Sequence, residues 1–259
     1  MIELKNVSKK FGKHVVLDNV NLTIDDGETL LVLGPSGEGK SVLIKTIIGI
    51  IESDAGEIII DGVDIANSSY SHIQKTRSNF GILFQGSTLF DSFNVYENIV
   101  FPIRYHEPNF PEDELKSLVK ERLSMVGLKD VETLYPAELS GGMQKRIALA
   151  RALIRNPKYI FYDEPTTGLD PIMSNVINQL IKGINLRMNP SSLIVTHDIE
   201  WAMNLVHKVA FLYKGKVRFF GTPDKMRKTD NPYIKQFMSG SVSGPIETHL
   251  HTAEGKYEK

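Results

Sequence analysis

Cysteine is absent from this chain. None of the 259 residues is a cysteine, which excludes disulfide bonds, thiolate metal sites and cysteine nucleophiles. Nothing in the composition therefore requires an oxidising compartment, and we expect a cytoplasmic protein.

The chain also lacks an excess of charge of one sign. Its 30 lysine and arginine residues are balanced by 31 aspartate and glutamate residues, for a net charge of −1. Proteins that bind nucleic acid usually carry a basic excess or a basic stripe, and neither is present. We therefore expect no nucleic-acid partner. The hydrophobic share of 41% and the charged share of 24% are typical of an ordinary globular protein.

Long apolar runs are missing as well. The longest apolar stretch, 43–51, is interrupted by Lys45 and Thr46 and is far shorter than the roughly 20 residues that span a bilayer. Residues 1–10 carry one glutamate and three lysines where a signal peptide would need an apolar run. We expect no direct membrane insertion, so any role at a membrane depends on partners.

Short runs rich in β-branched residues recur along the chain and predict strands. These runs are Thr29–Leu33, Glu57–Ile60, Phe80–Phe84, Tyr159–Tyr162, Leu193–Thr196, Val209–Tyr213 and Lys216–Phe220. Several are apolar at nearly every position, which is typical of strands that helices cover on both faces of a parallel sheet.

Helix-type spacing with charged faces replaces these runs between residues 91 and 157, for example in 112–126 and 142–154. We interpret this part as a helical subdomain, 91–158, inserted into an α/β core made of 1–90 and 159–238. Residues 239–259 are rich in Ser, Gly, Thr, His and charge, which predicts a tail with no core of its own.

A phosphate-binding loop is indicated by Gly34-Pro35-Ser36-Gly37-Glu38-Gly39-Lys40-Ser41, which matches the pattern G-x-x-x-x-G-K-[ST]. The motif follows a predicted strand and precedes a helix-like segment, 42–48. Backbone N–H groups of such a loop surround the β-phosphate of ATP, Lys40 neutralises phosphate oxygens, and the Ser41 hydroxyl binds Mg²⁺. We expect nucleotide contacts along the loop and at Val42, and we expect the Glu38 side chain to point to solvent. The alternative is a glycine-rich turn without a ligand.

Two adjacent carboxylates, Asp163 and Glu164, follow the predicted strand 159–162. Ligands of open α/β proteins bind at this end of the strands. Asp163 would hold Mg²⁺, and Glu164 would be the general base for the water that attacks the γ-phosphate. Alone, such a pair is as often a solvated turn, but here it accompanies a phosphate-binding loop.

A third motif, Leu139-Ser140-Gly141-Gly142-Met143-Gln144-Lys145-Arg146, lies between the other two. It resembles the signature motif of ABC transporter ATPases. Further landmarks of that family occur in the family's order: Phe11 for adenine stacking, Gln85 as the Q-loop, residues 167–170 as the D-loop and His197 as the switch histidine. The chain is thus identified as a member of this family over essentially residues 1–240.

The resemblance implies an α/β fold, in which a P-loop NTPase core has a mostly parallel sheet, an N-terminal antiparallel β region and an inserted α-helical subdomain. It also implies a homodimer of cassettes, with the signature of one copy capping the γ-phosphate bound by the other. The residues expected to contact ATP in this way are Ser140, Gly141, Gly142, Gln144 and Asp170. The same Leu-Ser-Gly-Gly segment is also a helix N-cap, and both interpretations can hold.

Catalytic roles carried over from the family fall on Glu164, His197 and Gln85, and Mg²⁺ ligation on Ser41, Gln85 and Asp163. Taken alone, His197 would more often be a buried, satisfied histidine, and Phe11 a packing aromatic. The segment 87–101 would line a groove for a permease helix through its apolar side chains, although an ordinary core role is equally open. Those side chains are Leu89, Phe90, Phe93, Val95 and Ile99.

Several less specific features resemble those of the ATPases of Mla/Mce-type phospholipid transport systems. These are Val42 after the Lys-Ser pair, the region after Gln85, the segment 231–240 and the sequence Gly244-Pro245-Ile246. The similarity implies a peripheral protein on the cytoplasmic face of the inner membrane, with integral-membrane permease subunits and an Mce-type substrate-binding protein as partners. It further implies a tail that contacts the partner ATPase and is ordered only in a dimer.

Three alternatives remain open at this stage. An importer of amino acids or other small solutes would share every nucleotide motif. An ABC ATPase acting on ribosomes or DNA ends would typically carry two cassettes or a long coiled coil, and neither is present. A binding module without hydrolysis would not need Glu164 and His197.

Overall fold

The computed structural model describes residues 1–247, so part of the predicted tail, 248–259, lies outside the described residues. The strands are β1 (Ile2–Phe11), β2 (His14–Ile24), β3 (Thr29–Leu33), β4 (Ala55–Ile60), β5 (Val63–Asp64), β6 (Phe80–Leu83), β7 (Tyr159–Asp163), β8 (Ser191–Val195), β9 (Lys208–Tyr213) and β10 (Lys216–Gly221). The α-helices are α1 (Lys40–Ile47), α2 (Tyr70–Arg77), α3 (Val95–His106), α4 (Glu112–Met125), α5 (Gly141–Leu153), α6 (Pro171–Met188), α7 (Ile199–Met203), α8 (Pro223–Arg227) and α9 (Pro232–Ser239).

The central sheet contains six strands in the order β10-β9-β3-β8-β7-β6. All neighbours from β9 to β6 are parallel, and only the edge strand β10 pairs antiparallel. Strands β3, β7 and β8 are buried at every residue, because both faces of a parallel sheet are covered. The predicted mostly parallel sheet is confirmed.

Alternate residues of these strands pack into two separate cores. On one face, Leu30 of β3 and Phe161 of β7 pack with α1 and with the second sheet. On the other face, Leu31 and Ile160 pack with α5 and α6. The period of two along a strand thus places the central sheet between an antiparallel sheet and a helical layer.

The second sheet is antiparallel, with the order β2-β1-β4-β5. The strands β1 and β2 were not among the runs that the sequence pattern predicted, and only the family resemblance implied an antiparallel N-terminal region. Their register shifts between Leu4 and Val7, and Asn6 and Asn19 have φ of +52° and +50°. Such bulges break the period-two pattern on which the prediction depended.

The part predicted as an inserted subdomain carries α3, α4 and α5 between β6 and β7. Helix α3 begins with a complete capping box, in which Asn94 and Glu97 bind each other's backbone N–H groups. Helix α6 was not predicted, although it has 18 residues. Its many Asn and β-branched residues have low helix propensity, and a buried apolar stripe with Ile177, Ile181 and Ile184 stabilises it instead.

The described start of the tail is ordered within a single copy. Ile246 is 9% exposed and belongs to the larger core, and its backbone N–H donates to Gln236 Oε1 of α9 at 2.6 Å. Residues 240–247 thus pack against their own chain, and the expected contact of the tail with a partner ATPase stays a prediction. Within residues 1–247, no helix is long and apolar enough to cross a membrane.

Candidate nucleotide-binding site

The predicted phosphate-binding loop connects β3 to α1, at the carboxyl end of the central sheet. Gly34 has φ of +152°, and a Cβ atom there would lie 2.1 Å from the carbonyl oxygen of Leu212 in β9. Gly39 has φ of +88°, and its Cβ would meet Val16 at 2.7 Å. Because no side chain fits at either position, both glycines are required for this loop to lie against the sheet.

Lys40 places its charge inside the curve of the loop. Its Nζ atom donates to the carbonyl oxygens of Gly34 and Pro35, each at 2.8 Å, and the residue is 8% exposed. Burial lowers the pKa of Lys40, while the negative charges of Glu164, Asp163 and Glu38 act in the opposite direction. The ammonium group is thus held by weak neutral acceptors that the oxygens of an anion can replace.

Ser41 and Asp163 bring the first turn of α1 next to the end of β7. The Ser41 hydroxyl donates to Asp163 Oδ1 at 3.0 Å. Burial raises the pKa of Asp163, and the Ser41 hydrogen bond and nearby lysines oppose this rise. No group of three or more His, Asp or Glu side chains within residues 1–247 could hold a metal ion. The hydroxyl and carboxylate oxygens fit Mg²⁺, which commonly takes one or two protein ligands and completes its shell with phosphate oxygens and water.

Glu164 is held in an unusual backbone conformation, with φ of +51°. Its N–H donates to the carbonyl oxygen of Val195 at 2.8 Å, and its Oε2 accepts from the Thr167 hydroxyl at 3.3 Å. The other carboxylate oxygen, Oε1, is buried and accepts no hydrogen bond from residues 1–247. A buried carboxylate oxygen without a donor is suited to a water molecule or substrate that supplies one.

His197 lies close to this free oxygen. Its Nε2 is 3.1 Å from Glu164 Oε1, but the two groups are not aligned as a hydrogen bond. The His197 side chain is 58% exposed, so it is not the buried histidine that was the alternative. It lies just after β8, where the end of the strand places it at the same edge of the sheet as the phosphate loop.

These groups surround one cavity of about 390 Å³. Its lining residues are Phe11, Val16, Ser36, Gly37, Gly39, Lys40, Ser41, Val42, Gln85, Glu164, Val195 and His197. Phe11 is 49% exposed, so part of its ring can be reached by a ligand, and Lys9 Nζ lies over the ring, 5.5 Å from its centroid. Residues from five separate stretches of the sequence therefore converge here.

The signature residues do not line this cavity. Ser140 caps α5 by accepting from the Met143 N–H at 3.3 Å, and Gln144 Nε2 donates to the Pro136 carbonyl oxygen at 2.9 Å. Gly141 and Gly142 begin α5, and a Cβ on Gly142 would meet Met173 at 2.5 Å. Asp170 caps α6 by accepting from the N–H groups of Ile172 and Met173. Their predicted contact with ATP would need a second copy of the chain.

Two predictions about side chains are corrected. Glu38 does not point freely to solvent, because its Oε2 accepts a hydrogen bond from the backbone N–H of Lys214 at 2.5 Å. It faces a neighbouring cavity that Pro35 also lines. In the segment predicted to line a permease groove, Val95 and Ile99 are core residues, 1% and 0% exposed.

An apolar groove of about 440 Å³ does lie beside that segment. It is lined by Phe80, Gly81, Ile82, Phe84, Thr88, Phe90, Phe101, Pro102, Arg151, Ala152, Ile154 and Arg155. Of the five predicted side chains, only Phe90 lines it. The helical period explains the difference, since α3 turns Val95, Ile99 and Ile103 towards the core.

Lys145 is a site residue that sequence reasoning missed. It is 4% exposed, and its Nζ donates to the carbonyl oxygen of Gln85. Burial lowers its pKa, while Asp163 and Glu164 oppose the shift. Its spacing from Gly142 and Leu149 places it on the buried face of α5. A lysine on the buried face of a helix is unusual, and this is the feature from which the sequence could have predicted a role for Lys145.

Comparison with known proteins agrees with this geometry. Residues 17–167 match the family model described as ABC transporter. The intermembrane phospholipid transport system ATP-binding protein MlaF of Haemophilus influenzae is 39% identical over 246 residues, covering 95% of this chain and 93% of that protein. The probable ribonucleotide transport ATP-binding protein mkl of Mycobacterium tuberculosis is 42% identical over 245 residues, covering 95% of this chain and 68% of that protein.

A solved structure shares the fold. The dimeric, post-hydrolysis state of an ATP-binding cassette bound to ADP and Pi aligns with a TM-score of 0.79 and 33% identity, covering 86% of this chain and 99% of that one. The family match, these relatives and the converging phosphate-loop, carboxylate and histidine groups agree. The chain belongs to the ABC transporter family, as an ATP-hydrolysing cassette.

Proposed function

We propose that two copies of this chain bind ATP and Mg²⁺ between them and use hydrolysis to drive a membrane permease that moves phospholipid. The observation that carries the ATPase step is the placement of Lys40, the Ser41–Asp163 pair and the free Oε1 of Glu164 around one cavity. Each has a distinct task in phosphoryl transfer to water.

Binding begins at the phosphate loop. Backbone N–H groups at the start of α1 face the phosphates, where the helix dipole also favours negative charge. Lys40 exchanges the carbonyl oxygens of Gly34 and Pro35 for oxygens of the β- and γ-phosphates. The exchange is favourable because a bond from an ammonium group to an anion is stronger than one to a neutral carbonyl.

Ser41 and Asp163 are the residues that would hold Mg²⁺, and Gln85 lines the same cavity. The ion would neutralise charge that develops on the phosphate oxygens.

Glu164 would accept a hydrogen bond from the attacking water at Oε1 and orient it towards the γ-phosphate. Its second oxygen is held by Thr167, so the carboxylate cannot rotate freely. His197, 3.1 Å from Oε1, would stabilise the charge that develops during attack. Because its side chain is largely exposed, it can also move towards the phosphate.

A second copy would complete the site. The signature residues Ser140 to Gly142 form the N-terminus of α5 but lie outside the cavity of their own chain. A helix N-terminus attracts anions, and in a head-to-tail pair it would face the γ-phosphate of the partner. The dimeric cassette with 33% identity supports this arrangement.

Phospholipid as the cargo is supported by the relative from Haemophilus influenzae, whose length this chain covers almost completely. The proposal places the chain on the cytoplasmic face of the inner membrane, bound to permease subunits and, through the complex, to an Mce-type substrate-binding protein. The apolar groove with Phe90, Phe101 and Arg151 would receive the permease. Transport of a polar solute is the second candidate, because a relative from Mycobacterium tuberculosis is described as a ribonucleotide transporter component.

The variant Glu164→Gln tests the ATPase step. It should retain ATP binding, lose on the order of 100-fold or more in turnover and accumulate as an ATP-bound dimer in size-exclusion chromatography. Glu200→Gln, an exposed residue of α7, is the matched control and should behave as the wild type. Normal hydrolysis by Glu164→Gln would remove Glu164 from this role.

Gentle extraction of the tagged chain from its native membranes tests the cargo. Mass spectrometry of the co-purified material should identify a permease, an Mce-type protein and bound phospholipid. A solute permease without lipid enrichment would replace the phospholipid proposal by the second candidate and leave the ATPase assignment unchanged.

A further inference from the structure

Glu38 is chemically unexpected within a phosphate-binding loop. It lies between Gly37 and Gly39, which both have positive φ, and its carboxylate would repel a triphosphate if it turned towards the nucleotide cavity. In the structure it turns the other way and accepts a hydrogen bond from the backbone N–H of Lys214. Glu38 therefore depends on an external donor to stay clear of the phosphates.

That donor lies in the turn between β9 and β10. Lys214 has φ of +48° and is followed by Gly215 at +71°, a combination that makes a tight turn. The carbonyl oxygen of Gly215 accepts from the Asp18 N–H of β2 at 2.8 Å. The turn is thereby fixed on the side of β2, and its Lys214 N–H faces Glu38.

The opposite side of the turn is covered by the C-terminal segment, residues 241–247. The Tyr213 hydroxyl donates to the Pro245 carbonyl oxygen at 3.4 Å and accepts from the Glu247 N–H at 3.3 Å. Lys214 Nζ also pairs with Glu247 Oε1 at 2.7 Å. Because this ion pair is exposed, most of the attachment comes from the buried contacts.

Gln236 provides the main buried attachment. It is 6% exposed, and its side-chain amide forms hydrogen bonds with both the N–H and the carbonyl oxygen of Ile246, at 2.6 and 3.1 Å. A Cβ atom on Gly244 would lie 2.3 Å from Gln236 Oε1. The C-terminal segment therefore has one close-fitting position against α9, with Ile246 in the core.

A cavity of about 350 Å³ lies between the C-terminal segment and the phosphate loop. Tyr213, Lys214, Ile246 and Glu247 line one side, and Pro35 to Glu38 line the other. Ser36 and Gly37 also line the nucleotide cavity. The C-terminal segment is thus separated from the phosphate site by the thickness of one loop.

We propose that Glu38 is a positioning residue for ATP binding, and that the C-terminal segment, by holding the Lys214 turn, keeps its carboxylate away from the phosphates. The proposal rests on ATP binding at this loop. If the segment is displaced, the Lys214 N–H moves and Glu38 loses its partner. The freed carboxylate then repels the incoming triphosphate, which weakens ATP binding but leaves the chemical step of bound ATP unchanged.

The test combines two truncations of the chain with a charge change at Glu38. One variant ends after Gly240 and lacks the C-terminal segment, and the control ends after Glu247 and keeps it. Each is made with Glu38 and with Glu38→Gln, and ATP affinity is measured by displacement of a fluorescent nucleotide. Loss of the segment should weaken ATP binding on the order of 3- to 10-fold with Glu38 and less than about 2-fold with Glu38→Gln.

The point variant Gly244→Ala keeps the experiment interpretable if the shorter chain does not fold. Its added methyl group displaces the segment from Gln236, and limited proteolysis after α9 confirms the displacement. It should raise KM for ATP without lowering kcat, and Glu38→Gln should rescue KM.

Equal weakening with Glu38 and with Glu38→Gln would overturn the proposal, as would unchanged affinity once the segment is shown to be displaced. A wild-type chain that binds no ATP would instead overturn the proposed function itself.

Discussion

Asn98 fixes the loop before α3, and its replacement is expected to destabilise the protein strongly. The residue is 0% exposed. Its Oδ1 accepts from the Phe90 N–H at 2.8 Å, and its Nδ2 donates to the carbonyl oxygens of Phe90, Phe93 and Asn94 at 2.9 to 3.1 Å. One amide side chain thus forms four hydrogen bonds with the backbone of this loop.

The cost of Asn98→Ala follows from the partners that remain. The Phe90 carbonyl oxygen keeps a hydrogen bond from the Phe93 N–H, and the Asn94 carbonyl oxygen keeps one from the Asn98 N–H. The Phe90 N–H and the Phe93 carbonyl oxygen lose the only partners they have within residues 1–247. An unsatisfied buried group costs about 1–3 kcal/mol, but Phe90 is 41% exposed, so water can partly satisfy its N–H. We therefore expect a loss of about 2 kcal/mol in the free energy of unfolding.

The nearly isosteric variant Asn98→Asp separates hydrogen bonding from packing. It keeps the acceptor for the Phe90 N–H but places a carboxylate oxygen against three carbonyl oxygens. We expect it to be at least as destabilising as Asn98→Ala, because an unpaired buried charge costs more than an absent side chain.

Urea unfolding followed by circular dichroism measures these effects. The control Asn204→Ala removes an exposed amide whose two hydrogen bonds, to the Glu200 carbonyl oxygen and from the exposed Arg227 guanidinium, lie at the surface. It should change the free energy of unfolding by less than about 0.5 kcal/mol. If both Asn98 variants unfolded within about 1 kcal/mol of the wild type, the hydrogen-bond accounting would be refuted.

Three other perturbations have defined outcomes. Gly34→Ala places a methyl group 2.1 Å from a carbonyl oxygen of β9 and should abolish ATP binding in a nucleotide-displacement assay. Gly37→Ala meets no atom within 4 Å and adds only the strain of a φ of +82°, so it should weaken binding less and leave it measurable. Lys145→Met removes the donor to the Gln85 carbonyl oxygen. It should lower kcat at least 10-fold and change ATP affinity less than about 3-fold. Equal losses in kcat and in affinity would indicate a general folding defect. Burial would raise the pKa of Asp61, but hydrogen bonds from a lysine, a tyrosine and the N-terminal ammonium group lower it to about 2. A carboxylate with a lowered pKa stabilises the folded state at pH values above its ordinary pKa of 3.8, and this stabilisation is lost as the pH falls towards 2. In urea unfolding, Asp61→Asn should therefore cost about 1 kcal/mol at pH 7 and progressively less below pH 4.

The parallel sheet and the phosphate loop were predictable because their patterns are local. The strands β3 and β7 are continuous apolar runs that bury both faces, and the loop motif requires its glycines for backbone reasons that hold in any context. Strands β1 and β2 were less visible, since bulges near Asn6 and Asn19 shift the alternation on which strand prediction depends.

The contacts of individual side chains were harder to predict than the positions of residues in the fold. Glu38 was expected to face solvent, yet a turn 176 residues later in the sequence donates to it. For Val95 and Ile99 the sequence left a surface groove and the core equally open, and the rotation of α3 buries them. In each case the partner comes from a distant part of the chain, which no local pattern contains.

The sequence by itself determined the chemical groups of this protein and the order in which they occur: the phosphate loop, the signature motif, the acidic pair and the histidine. Only the tertiary structure decided that Glu164 keeps one buried oxygen without a donor, that Lys145 holds the Gln85 carbonyl oxygen, and that residues 241–247 cover the turn beside Glu38. Motifs arise from what a few consecutive residues must do, whereas hydrogen-bond partners and burial depend on which segments the packed core brings together.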